Sequence, residues 1–277
     1  MRCAIDLHAA RPVAVTVVCA LLWSCSGERS SVSFSEAELL DSVALGEELG
    51  APVCKAGLRL VTVEGAASAE AINGYVLREL LGAQADVPVA EAMRGYVDAQ
   101  LREFTDIVRD MYYADLAYRQ SDSAEVEPPL QLAARYSYDY ATEASAALGR
   151  ADSVVCYRWR AYRYMGGAHG MSSERWLTFS LKSGAVLTWQ QLFGEDFEEA
   201  LCRLLSEKLM MQEGVATMEA LHERGYLYGG EMFVSDDMLM ESERIVFHYD
   251  PYEIAPYVLG DIDIAFTYGE LSPYFLP

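Results

Sequence analysis

Two short runs concentrate the residue types that do chemistry. The first is Tyr164-Met165-Gly166-Gly167-Ala168-His169-Gly170, a histidine framed by three glycines. Imidazole titrates near neutral pH and serves as a general base or a metal ligand. The glycines allow positive φ and close backbone approach, which would hold the ring in a defined place after a strand. No His-x-x-x-His, no carboxylate pair at fixed short spacing and no serine or cysteine in an elbow context accompanies His169. A ring that bonds nearby backbone and locks its turn therefore explains the run as simply as a catalytic one. The second run is Phe247-His248-Tyr249-Asp250-Pro251-Tyr252-Glu253-Ile254-Ala255-Pro256-Tyr257-Val258-Leu259-Gly260. Its prolines and glycine forbid a continuous helix or a central strand, so Tyr249, Tyr252 and Tyr257 are expected on a bent loop with Asp250 and Glu253. Tyrosines there suit recognition, through large contact area with a polar tip, or a packed corner whose hydroxyls satisfy buried backbone.

The elements that must position these runs follow from periodicity. Cys54 to Val63 alternates as a strand, and a helix is expected after Ser68-Ala69-Glu70-Ala71, with Ile72, Tyr75, Val76 and Leu80 on one side. A long helix is predicted from about Val89 to Arg119, where Met93, Val97, Leu101, Phe104, Val108, Met111 and Tyr112 step three and four apart. Leu132 to Thr142, Ser153 to Tyr164 and Glu174 to Leu181 read as strands, and Lys182-Ser183-Gly184 as a hairpin turn into Ala185 to Trp189. A helix over Asp196 to Met211 and strands at Arg244 to Tyr249 and Asp261 to Thr267 close the chain. Strands grouped together with helices on one face imply an α+β fold: an antiparallel sheet, with two intimately associated halves, a helix-rich 36–128 and a sheet-rich 129–277. Ser121 to Pro129 is the expected loop between them.

The amino terminus carries an address. Arg2 and Arg11 precede an apolar run from Val13 to Trp23, too short for the roughly 20 residues that span a bilayer but fitting the core of a signal peptide. Leu22-Trp23-Ser24-Cys25 resembles the lipobox of bacterial lipoproteins. That resemblance implies cleavage of residues 1–24 and acylation of the Cys25 sulfur, with 25–35 as a Ser-rich tether. The expected location is the cell envelope, outside the cytoplasm and lipid-anchored, in the outer membrane of a Gram-negative bacterium. The net charge of −21 disfavours nucleic acid and anionic lipid surfaces, and favours cationic partners or plain solubility. Cys54, Cys156 and Cys202 have no metal-knuckle or CxxC spacing and read as small core residues without a disulfide framework. No cofactor or metal centre is implied.

The order GGAHG, strand, Lys-Ser-Gly turn, Leu187 to Phe193, helix, FHYDPYEIAPYVLG, strand and Glu270-Leu271 resembles the terminal domain of lysozyme-sensing anti-sigma factors. It is similar also to the accessory domain of certain peptidoglycan deacetylases. The resemblance spans about Ser153 to Leu271, and Val53 to Ser123 resembles the domain that commonly precedes it, with Ala71-Ile72-Asn73 as a marker. It implies a cell-surface, non-enzymatic α+β module. The sigma-binding segment and the metal-dependent catalytic domain of those relatives are not expected here. Contact with a basic lysozyme-like protein or with peptidoglycan is. The competing class is a wall- or glycan-directed hydrolase using His169 with Asp250 or Glu253 as acid and base.

Overall fold

The computed structural model describes residues 32–47, 50–121 and 129–276. The expected signal segment, Cys25, residues 26–31 of the tether and residues 122–128 of the expected loop lie outside the described residues. The fold is α+β, with one five-stranded and one three-stranded sheet.

Strands β1 (Ser33–Ala44), β2 (Val53–Glu64), β3 (Tyr138–Leu148), β4 (Val154–Tyr164) and β5 (Met171–Ser180) lie side by side in chain order. All neighbours are antiparallel except β2 and β3. That parallel pair corrects the expected all-antiparallel sheet, and its cause is the connection. Helices α1 (Ala69–Tyr75, continued by a π-helical turn at Val76–Leu80), α2 (Val89–Ser121) and α3 (Pro129–Tyr136) carry the chain back to the end where β2 began. Parallel neighbours require such a crossover.

Ser33 to Ser35 belong to β1 rather than to the tether. Leu132 to Tyr136, expected as strand, are helical, because Pro129 is tolerated in a first helical turn and the Ser137 hydroxyl bonds the Ala133 carbonyl at the far end. Ala185 to Trp189 forms no strand beyond one bridge from Val186 to Phe179. Thr188 and Gln191 instead build a capping box that starts α4 (Trp189–Phe193).

The first core lies under α1 and α2, where Ile72, Val76, Met93, Val97, Phe104 and Val108 meet Leu58, Leu60, Tyr140, Tyr157 and Phe179. Asn73 uses its side-chain amide as a substitute strand, accepting from Val63 N and donating to Val63 O, both at 2.9 Å. A second core forms between α5 (Glu198–Glu213), α6 (Met218–Glu223) and the small sheet of β6 (Met238–Met240), β7 (Arg244–Tyr249) and β8 (Ile262–Thr267), with α7 (Tyr268–Leu271) after it. Leu201, Leu205 and Leu209 of α5 supply one side of it, and Phe247, Tyr249 and Ile264 the other.

The two sheets join along β5. An edge strand leaves alternate N–H groups unpaired. Here carboxylates take the place of another strand: Trp176 N donates to Asp237 at 2.7 Å, and Glu174 N to both oxygens of Asp250 at 2.9 and 3.1 Å. The Thr178 hydroxyl donates to Met238 O and accepts from Met240 N, each at 3.0 Å. Cys156, Trp176, Leu239 and Val246 fill the space between. Cys54, Cys156 and Cys202 are free thiols, and burial pushes the first two up to about 12.

Candidate functional site: two loops that meet

The glycine loop joins β4 to β5, and the tyrosine loop joins β7 to β8. Gly166 and Gly167 take φ of +79° and +93°, and a Cβ on Gly166 would meet the Arg135 carbonyl at 2.5 Å. This shape sends His169 outward, with its Nδ1 3.0 Å from Gly170 O. The Tyr164 hydroxyl closes the turn on Gly167 O at 3.1 Å. In the other loop Tyr252 N donates to Ala255 O, and Asp250 N donates to the Glu253 carboxylate at 2.8 Å. Ile254 and Ala255 are buried as a plug, Pro256 packs on Gly225, and Gly260 leaves the loop at φ +70°.

The loops touch through their rings. His169 stacks on Tyr257 with centroids 4.4 Å apart and planes at 19°, and Tyr252 stacks beside Tyr257 at 5.7 Å and 28°. The Tyr257 hydroxyl reaches back to Gly170 O at 3.2 Å. Tyr252 is half exposed and carries φ +76°, a left-handed conformation that costs a non-glycine residue about 1–3 kcal/mol. Val258 and Leu259 continue the exposed surface. Tyr249 does not join it: that ring is fully buried in the second core and its hydroxyl donates to Phe233 O at 2.7 Å.

Behind the ring stack lies a charge cluster that sequence reasoning missed. His248 is 2% exposed, with Nδ1 2.8 Å from Asp263 and Nε2 3.3 Å from Asp250, and its ring stacks on Trp176 at 4.4 Å. Arg158 also stands over the Trp176 ring, at 4.4 Å. Burial alone would push His248 down; the bonds with Asp250 and Asp263 outweigh it and carry the imidazole up to about 10. It is an imidazolium at neutral pH. Burial raises Asp237, Glu253 and Asp261 above the usual carboxylate range. The legible signal was the pairing of β7 with β8, which sets His248 opposite Asp263. One ligand-type atom from each of His248, Asp250 and Asp261 lies within 4.8 Å of the others.

The strands, helices and tyrosine loop of this second unit define a stretch with known relatives. Residues 190–269 match the family model described as a protein of unknown function, DUF3298. The DUF3298 stretch contains Tyr252, Tyr257 and the His248 cluster, while His169 lies before it. The chain is 26% identical over 117 residues to the peptidoglycan-N-acetylmuramic acid deacetylase PdaC of Bacillus subtilis, covering 42% of this chain and 25% of that protein. It thus spans about a quarter of that relative's length. In fold it is similar to a DUF3298 family member from Bacteroides fragilis, with a TM-score of 0.78 at 22% identity over 90% of this chain and 95% of the other. A DUF3298 family protein from Pseudomonas aeruginosa PAO1 follows at 0.57 and 16%, over 88% and 95%. Among the described residues no helix is long and apolar enough to cross a membrane.

Proposed function

We propose that this chain is a non-catalytic, lipid-anchored binding module of the cell envelope, held at Cys25, that recognises a basic wall-active protein of the lysozyme type through its two-loop face. The observation that carries this reading is the stack of Tyr252, Tyr257 and His169, in which two distant segments present rings on one exposed face. Aromatic side chains are the usual anchors of interfaces. The net charge of −21 suits a cationic partner and speeds encounter with it. The similarity to a peptidoglycan deacetylase favours wall glycan as a second ligand class.

The hydrolase alternative asks His169 to share a proton with Asp250 or Glu253. Asp250 is engaged with His248 and Glu174 N, Glu253 with Asp250 N, and His169 with Tyr257 and Gly170. These partners support a module without its own chemistry. Turnover of wall substrate that His169→Ala abolishes in a folded protein would reinstate the enzyme.

The test is titration of the chain with a basic lysozyme and with soluble wall fragments, at low and at physiological salt. Saturable lysozyme binding that persists at physiological salt is expected. Binding to neither ligand would defeat the proposal.

A further inference from the structure

The neck of the β7–β8 connection gathers three side chains that the ring stack does not use. His248 stands near the end of β7, Asp250 opens the connection and Asp261 closes it. Their ligand-type atoms lie within 4.8 Å of one another. The histidine ring is fixed in orientation. Its face rests on Trp176 and its Nδ1 is committed to Asp263 at 2.8 Å, which leaves Nε2 turned toward Asp250. Metal-binding histidines are oriented by just such a carboxylate on the other ring nitrogen. The Asp261 carboxylate, at the third corner, makes no hydrogen bond or ion pair among the described residues.

We propose that His248, Asp250 and Asp261 bind one divalent cation of the zinc or manganese class, which clasps the two ends of the loop carrying Tyr252 and Tyr257. One imidazole nitrogen with carboxylate oxygens is a borderline set that suits those ions. Binding displaces the proton on Nε2, since a ligating imidazole is neutral, and water completes the coordination on the exposed side of Asp261. The ion's role is to fix the neck of the loop, whichever partner the rings recognise, so the clasp does not depend on the lysozyme reading.

The test uses Zn²⁺ and then Mn²⁺ alone, titrated calorimetrically into the chelator-stripped full chain at pH 8. One ion per chain is expected, with slower amide hydrogen exchange over residues 251–260 once it binds. Asp261→Asn, at an exposed position that leaves folding intact, removes the binding, and Asp263→Asn weakens it roughly 10–100-fold. Lack of saturable binding by either ion overturns the proposal. So does Asp261→Asn binding as tightly as the parent, which would place the ion elsewhere, at the half-buried Cys202 thiol for instance.

Discussion

The five-stranded region and the three-stranded region handle charge and backbone strain differently. In the larger sheet, Arg59 pairs with Glu36 and Glu38, and Arg163 with Glu103, all at the surface. Of its left-handed residues, Ala151 and Asp152 sit in the β3–β4 hairpin, where mirror-image turn geometry matches strand twist, and Asp86 sits in the turn before α2. In the smaller region Asp237 and His248 are buried, and Leu227, Tyr228 and Tyr252 hold positive φ. The backbone of Leu227 donates to Ile254 O, so these strained residues belong to adjoining loops. Strain and buried charge persist only where surrounding structure over-determines them, and they gather at functional sites. That difference supports the proposed face being centred on the smaller unit, to which the β4–β5 loop of the larger sheet adds His169.

The contrast can be broken by substitution. Phe247→Ala, which empties a fully buried position of the second core, is expected to cost about 3–5 kcal/mol in urea unfolding. Arg59→Ala on the larger sheet costs under about 1 kcal/mol, because its ion pairs are exposed. Equal losses would erase the distinction.

His248→Ala comes next, at about 2–3 kcal/mol, since it strips the counter-ion from Asp250 and Asp263 and leaves a gap beside Trp176. The same residue gives a pH signature in chelator. Its folded value of about 10 lies above the ordinary 6.5, so its contribution is complete below pH 6.5 and lost as pH rises through 10. A stability decline across that window in the parent, absent from His248→Ala, is the expected result; parallel profiles would remove the imidazolium from the account.

Smaller effects sharpen the picture. Thr267→Ala breaks the capping box with Glu270 at the start of α7 and should cost about 1 kcal/mol. Tyr252→Gly relieves the left-handed strain but loosens the unfolded chain, so thermal unfolding should show anything from no change to a gain of about 1 kcal/mol. A clear loss would mean that the Tyr252 ring holds the loop rather than displaying itself.

Much of the fold was legible because its signal is local. The alternation of Cys54 to Val63 and the stripe from Met93 to Tyr112 correspond to β2 and α2. The parallel pairing of β2 with β3 was not legible, because it depends on where three helices deliver the chain. Leu132 to Tyr136 failed because Leu132 and Ala133 are both buried, a helical pattern too short to oppose the tyrosine alternation of Tyr138 to Thr142. Both loops of the candidate site stood out through glycine, proline and tyrosine, but their meeting did not, since the His169 and Tyr257 stack joins residues far apart in the chain. His248 hid inside an apolar strand, and its meaning came only from Asp263 across the sheet and Trp176 on the other.

The most direct test of the two-loop face compares the parent with a Tyr252→Ala/Tyr257→Ala variant of equal thermal stability, each titrated with a basic lysozyme and with soluble wall fragments at physiological salt. Removing interface anchors should weaken the parent's binding by at least about tenfold. Undiminished binding by the variant, or no binding by the parent to either ligand, would contradict it.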